Sequence, residues 1–182
     1  MKLEAGKPTD LQNRLEKELR CYALLDSLAL EYVRVDHPPA ETMDACLTIE
    51  GVLGAHICKN LFLCNRQQTD FYLLLMPGGK PFRTKELSKK IGSSRLSFAG
   101  AGHMEALLDI TPGSVSILGL MNDREQKVRL LVDKDLLEQE FFGCHPCINT
   151  SSLRLHIRDV FHSLLPAMAH NMTVVELTGE TD

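Results

Sequence analysis

Two apolar runs constrain this chain more than any other feature. Residues 60–64 (Asn-Leu-Phe-Leu-Cys) and 71–76 (Phe-Tyr-Leu-Leu-Leu-Met) flank the polar segment Arg66-Gln67-Gln68-Thr69-Asp70. Short apolar runs on either side of a polar turn predict an antiparallel hairpin. The first run opens with Lys59. Charged groups are rarely buried, so a lysine entering a core strand needs water, a partner or a task.

Other elements can be placed around this hairpin. Leu11, Leu15, Leu19, Tyr22 and Leu25 recur at helical intervals, predicting a helix over 9–29. Thr9 and Asp10 are its candidate N-caps, and Thr9 with Gln12 has capping-box spacing. Residues 31–35 alternate as a strand that His37-Pro38-Pro39 stops. Thr42 is placed to cap a helix over 43–52, with Gly51 and Gly54 near its end. Helices are predicted near 84–91, 102–108, 134–140 and 158–165, with Pro166 ending or kinking the last. Short strands are predicted at 96–98, 153–157 and 172–177. A strand over 115–120 is expected to pair with 128–132 across the turn Asn122-Asp123-Arg124. Hairpins mixed with helices predict an α+β fold: one compact domain over residues 1–182, with a mixed, mainly antiparallel sheet and surrounding helices.

A chain of 182 residues fits one domain. It buries about 70% of its unfolded surface, enough for a core without metal or disulfide. No run reaches the length of a membrane helix, and residues 1–11 lack the apolar segment of a secretory signal, so a cytoplasmic location is expected. The six cysteines, at 21, 46, 58, 64, 144 and 147, then read as reduced thiols. Cys144-His145-Pro146-Cys147 has the spacing of half a zinc site, but a second close pair is missing. Buried core thiols are the expectation, with no metal.

The net charge of −4 argues against a long electrostatic footprint on a nucleic acid. One local excess stands out: Lys80, Arg83, Lys85, Lys89, Lys90 and Arg95 face only Glu86 between residues 80 and 95. That stretch reads as a solvated helix face or as a phosphate-facing ridge. There is no Gly-rich dinucleotide fingerprint, Walker phosphate loop, Gly-x-Ser-x-Gly elbow or His-Glu-x-x-His.

An ordered set of short segments remains: His37-Pro38-Pro39 with Thr42, Lys59-Asn60-Leu61-Phe62-Leu63, Leu96-Ser97-Phe98-Ala99, and Thr111-Pro112-Gly113-Ser114-Val115-Ser116. Gly119-Leu120-Met121-Asn122-Asp123 and His145-Pro146 with Asn149-Thr150 complete it. Together, over residues 10–178, they resemble the YbaK/prolyl-tRNA-synthetase-associated domain family, in particular its free-standing prolyl-tRNA editing branch. The resemblance implies a trans-editing deacylase that hydrolyses the ester of mischarged tRNA, with alanine on proline tRNA as the preferred substrate. It implies no cofactor, and tRNA as partner, with prolyl-tRNA synthetase as a further partner and neither DNA nor membrane. It makes Lys59 the functional lysine, and places Thr42, Asn60, Gly113, Ser114, Val115, His145 and Asn149 around the substrate. The basic stretch would then meet the acceptor stem. One position departs: the family's glycine loop often reads Gly-x-x-x-Pro, and here Ile117 stands at the proline. Isoleucine does not fix φ as proline does. Two alternatives stay open: a deacylase for cysteine- or serine-charged tRNA, and a noncatalytic module of the same fold that senses tRNA or amino acid.

Overall fold

The computed structural model describes residues 1–40 and 42–180, the side chain of Met43 excepted. Two sheets form the α+β framework. The first is antiparallel throughout, in the order β1 (Leu3–Ala5), β2 (Tyr32–Asp36), β8 (Ser151–His156), β7 (Phe141–Cys144). The second is mixed, in the order β5 (Ser97–Phe98), β3 (Lys59–Cys64), β4 (Phe71–Met76), β6 (Val128–Asp133), β9 (Met172–Val175). The predicted hairpin is present, with Lys59 opposite Met76 and Cys64 opposite Phe71.

The composition of β4 follows from its position. It lies between an antiparallel neighbour and a parallel one, and all six of its residues are buried. Phe71, Leu73 and Leu75 point into a core shared with the first sheet. Tyr72, Leu74 and Met76 point into a smaller core that includes Leu87 of helix α3 (Thr84–Ile91). A strand covered on both faces has no room for alternation and reads as a continuous apolar run.

Three expectations are corrected. Helix α1 spans Glu16–Ser27 and starts a full two turns later than its apolar period suggests. Leu15 is its N-cap, without a side-chain bond, and Asp10 instead accepts from the Gln12 amide in an exposed turn. Leu11 and Leu15 are exposed, so their spacing buries nothing that could extend the helix. Second, residues 115–120 do not form a strand. Ile117–Asn122 is a 3-10 turn whose first amide, from Leu118, is capped by Ser116 Oγ at 3.2 Å. Third, β6 therefore pairs with β4 and β9, both parallel, rather than with residues 115–120. Parallel neighbours need a long crossover, and residues 77–127 supply it, carrying α3 and helix α4 (Ala101–Leu108).

The remaining expectations differ only in detail. Thr42 Oγ1 caps helix α2 (Met43–Leu53) by accepting from Ala45 N, and Gly54 ends it in the left-handed region. A 3-10 turn at Lys134–Glu138 replaces the helix expected near 134–140. The C-terminal helix runs over 157–167 with a π-helical turn at Val160–Leu164 just ahead of Pro166. Proline has no N–H to donate into the helix, and the widened turn takes up that break. Among the described residues, no helix is long and apolar enough to cross a membrane.

Candidate functional site: the sheet junction and its two faces

The two sheets meet where the backbone before β3 touches β7. Ile57 bridges Gly143, and Cys58 N donates to Gly143 O at 3.3 Å. A Cβ on Gly143 would lie 2.5 Å from His56 O and 3.1 Å from Ile57 Cα. Both neighbours are backbone and cannot swing aside, so the junction requires glycine. It places Lys59 one residue beyond the contact on β3 and His145 two residues beyond it on the β7 segment. No sequence pattern marked Gly143, because the need comes from a partner 86 positions away in the chain.

Side chains alternate along β3, so Lys59 and Asn60 leave it on opposite faces. Asn60 shares its face with Cys58, donating to Cys58 O at 3.0 Å and approaching Cys58 Sγ at 3.5 Å. Its Oδ1 is buried and has no hydrogen-bond donor among the described residues. Burial pushes the Cys58 thiol up to about 12 and the Cys144 thiol, beside Cys58 and Ser116, well above the usual range. Thiols held this firmly in the protonated form are packing groups, not nucleophiles. Cys147 lies in the same core, its sulfur 3.6 Å from that of Cys21. Among the described residues, no group of three or more His, Cys, Asp or Glu side chains is arranged to hold a metal ion.

On the first-sheet side of the junction the loops after β2 and β7 meet. His145 Nδ1 lies 3.0 Å from Ser151 O and 3.4 Å from Ser152 Oγ; His37 Nε2 lies 2.9 Å from the same hydroxyl. His37 Nδ1 lies 2.8 Å from Pro38 O. Carbonyl oxygens only accept, so in the neutral rings both Nδ1 atoms carry the proton. Ser152 then donates to His37 and receives from His145. That series leaves His145 Nε2 without a hydrogen-bond partner among the described residues. Burial lowers the His145 pKa and His37 lowers it further, against the opposing bond to Ser151 O, so the neutral ring is favoured. His37 joins the cluster through β2–β8 pairing, which sets Val35 opposite Ser152. In the sequence it is visible only as a strand stop.

The glycine loop lies beside this cluster. Gly113 takes φ +89°, a conformation that favours glycine, and a Cβ there would meet Asn149 Nδ2 at 4.0 Å. Gly113 and Asn149 are thus brought together. Ser114 N donates to Thr111 O at 3.1 Å, so that amide is spent inside the turn. Ser114 is buried and Val115 packs half-buried on the main core. Ile117, fully buried, starts the 3-10 turn that Ser116 caps. Here a capping hydroxyl fixes the turn. Gly119 completes it: a Cβ there would press to 2.5 Å from Ile110 Cδ1. Thr42 is not joined to these groups by any contact among the described residues, its hydroxyl being held in the cap of α2.

The outer face of β3 is different. Lys59 Nζ donates to Lys80 O at 2.6 Å. Lys80 is itself immobilised: its ammonium lies 2.8 Å from fully buried Asp133 and 2.8 Å from Asp135. The Lys80 pKa is raised, the two carboxylates outweighing burial, which opposes it. The Lys80 charge is thus met by buried Asp133 and by Asp135 inside the protein. Arg83, Lys85, Lys89, Lys90 and Arg95 are all exposed. Glu86, their acidic neighbour, accepts the amides of Thr178 and Gly179 at 2.6 and 3.1 Å and ties the C-terminal segment to α3. Lys59, Phe82, Arg83, Lys85 and Phe98 line one open groove of about 550 Å³.

Comparison with known proteins bears on both faces. The model of the aminoacyl-tRNA editing domain family matches residues 37–162, a span that begins at His37 and includes Lys59, Gly113 and His145. The prolyl-tRNA editing protein ProX of Acetoanaerobium sticklandii is 30% identical over 155 residues, 85% of this chain and 94% of that one. The prolyl-tRNA synthetase associated domain-containing protein 1 of Danio rerio is 26% identical over 162 residues, 88% and 84% of the two chains. A solved structure of a candidate trans-editing enzyme for prolyl tRNA synthetase superposes with TM-score 0.67 at 18% identity, covering 90% of this chain and 98% of its own, which shows a shared fold. The chain belongs to the aminoacyl-tRNA editing domain family.

Proposed function

We propose that this protein acts in trans to remove alanine from mischarged proline tRNA, with residues 1–182 working as one editing domain. Family membership makes it an aminoacyl-tRNA hydrolase; the identity of the amino acid and of the tRNA is the finer reading. The observation that supports it is the Gly143 junction, which holds the start of β3 against β7, the strand that leads into the His145 loop. An ester at that mouth would have a cation on one side and neutral, buried hydrogen-bonding groups on the other.

The proposed roles follow from that placement. Lys59 holds the 3′-terminal phosphate or the ester carbonyl. Asn60 Oδ1, an unmet buried acceptor, takes an N–H of the amino acid. An unmet acceptor in a buried site favours a ligand that fills it, since leaving it bare costs about 1–3 kcal/mol. Charge builds on the carbonyl oxygen as water attacks, and donors aimed at that oxygen lower the barrier. With Ser114 N already bonded, the amides of Gly113 and Val115 are the donors this reading uses, and Asn149 beside Gly113 steadies the loop or the ligand. His145 orients substrate or water through its free Nε2. Attack by water, helped by the substrate's own ribose hydroxyl, needs no protein nucleophile, and the protonated thiols offer none. Prolyl-tRNA synthetase is a further partner in this reading.

Alanine preference would rest on pocket size. A small pocket excludes proline sterically, but one methyl is worth only about 1–3 kcal/mol, so glycine is rejected less sharply. Incubation with proline tRNA charged with alanine, cysteine, serine or proline, following ester loss, tests the reading. Fastest loss of alanine is expected. Fastest loss of cysteine or serine would reassign the substrate, and no loss across the panel would leave a noncatalytic binding module.

A further inference from the structure

The groove on the outer face of β3 has two exposed or half-exposed aromatic rings that the proposed chemistry does not use. Phe98, on the edge strand β5, is 62% exposed. Phe82 lies beside it, ring centroids 6.2 Å apart and edge-on at 67°. Phe82 is anchored from below, packed against the core that includes Leu87 and Leu96. An exposed phenylalanine at the edge of a sheet, held by a second ring, is a costly thing to leave in water. Its surroundings are basic rather than apolar: Lys59, Arg83 and Lys85 line the same groove. A protein partner's apolar patch would find those cations poorly matched. A polyanion with flat apolar faces matches both.

We infer that this groove is a stacking subsite for an unpaired nucleotide at the 3′ end of the tRNA, its base on Phe98 and Phe82 and its phosphate toward Arg83 and Lys59. Aromatic platforms flanked by cations are how proteins hold single-stranded nucleic acid, because every base has a π-face and every linkage a charge. Paired bases of the acceptor stem cannot use the platform, since their faces are covered by neighbours. The subsite also explains the placement of Lys59. A terminal nucleotide stacked here sets its ribose at the mouth of β3, within the reach of the first-sheet loops across the Gly143 junction. This inference deepens the proposed function and rests on tRNA being the substrate.

The test uses uncharged RNA, so it does not depend on any ester being hydrolysed. A fluorescent RNA hairpin ending in an unpaired 3′ tail is compared with the same hairpin ending blunt, by anisotropy titration against the full chain. The wild-type protein should bind the tailed hairpin more tightly. Phe98→Ala should weaken binding of the tailed hairpin about fivefold or more, the loss of about 1 kcal/mol or more of stacking, and leave the blunt hairpin unchanged. Phe98→Tyr should restore tail binding and Phe98→Leu should not, because leucine keeps apolar area without a π-face. Equal loss on both hairpins, no loss on either, or full rescue by leucine would overturn the subsite. A Phe98-dependent tail preference in a protein that hydrolyses none of the mischarged tRNAs would keep the subsite and remove the deacylase reading.

Discussion

The two faces of β3 are built on opposite principles. The inner side, which takes in the loops of the first sheet, is built of paired, mostly buried groups: His37, Ser152 and His145 bond in series, Gly113 sits against Asn149, and the thiols stay protonated. The outer face carries an open, cationic and aromatic groove, in which Arg83, Lys85 and Phe98 are exposed and Lys59 and Phe82 half-buried. Preorganised dipoles in a buried site govern the rate of a chemical step. Exposed charge governs encounter and salt dependence. Substitutions on the two faces should therefore separate into different observables.

The largest effect is expected where the outer face is anchored. Asp133→Ala leaves the Lys80 ammonium without its buried partner, and breaking such a pair costs about 3–5 kcal/mol. Chemical denaturation should show that loss. Because Lys80 O is the acceptor for Lys59, binding of tRNA should weaken in the fraction that stays folded. A stability change below about 1 kcal/mol would mean that Lys80 is held by other contacts.

The inner face is best probed by pH. His145 has a folded pKa below its unfolded value, chiefly through burial, so the unfolded chain takes up the proton first. Its contribution to stability is present above the unfolded pKa near 6.5 and is lost as pH falls below it. The rate should follow the same ring. Activity that needs neutral His145 should hold its plateau to a lower pH than an ordinary histidine allows, and His145→Asn should remove that acid limb. An acid limb unchanged in the variant would take His145 out of the mechanism.

Charge reversal on α3 should act on the other observable. Lys89→Glu with Lys90→Glu is expected to weaken tRNA binding several-fold and reduce its salt slope by about two. Single-turnover rate at saturating substrate should hardly change. A fall in that rate with affinity intact would reverse the assignment of the two faces. Thr42→Ala should have the smallest effect, about 1 kcal/mol of stability from the lost cap of α2. Its turnover should stay within error of wild type; a loss of turnover would return Thr42 to the substrate.

Local features were readable from sequence and distant ones were not. The β3–β4 hairpin was plain because both runs are apolar and the turn between them is polar. The span 115–120 looked like a strand because Val115, Ile117, Leu118 and Leu120 are apolar and flanked by turn residues. Its 3-10 form depends on the Ser116 cap and on Gly119 lying under Ile110, a packing fact. Lys59 was conspicuous as a cation in an apolar run, yet its acceptor, Lys80 O, and the Asp133 that fixes Lys80 come from separate parts of the chain. The basic stretch read as six equivalent charges, with no sign of the ion pair that meets the charge of Lys80. Phe98 read as an apolar strand residue within one of the family-like segments; its exposure follows from β5 being a two-residue edge strand.

The central claim is that ester hydrolysis takes place at the mouth of β3 and depends on Lys59. Single-turnover deacylation of alanine-charged proline tRNA by the wild-type protein and by Lys59→Ala measures it directly. The account predicts rapid ester loss with wild type and loss near the spontaneous rate with the variant, whose fold by circular dichroism should be unchanged. Equal rates for the two proteins, or no hydrolysis by wild type, would contradict it.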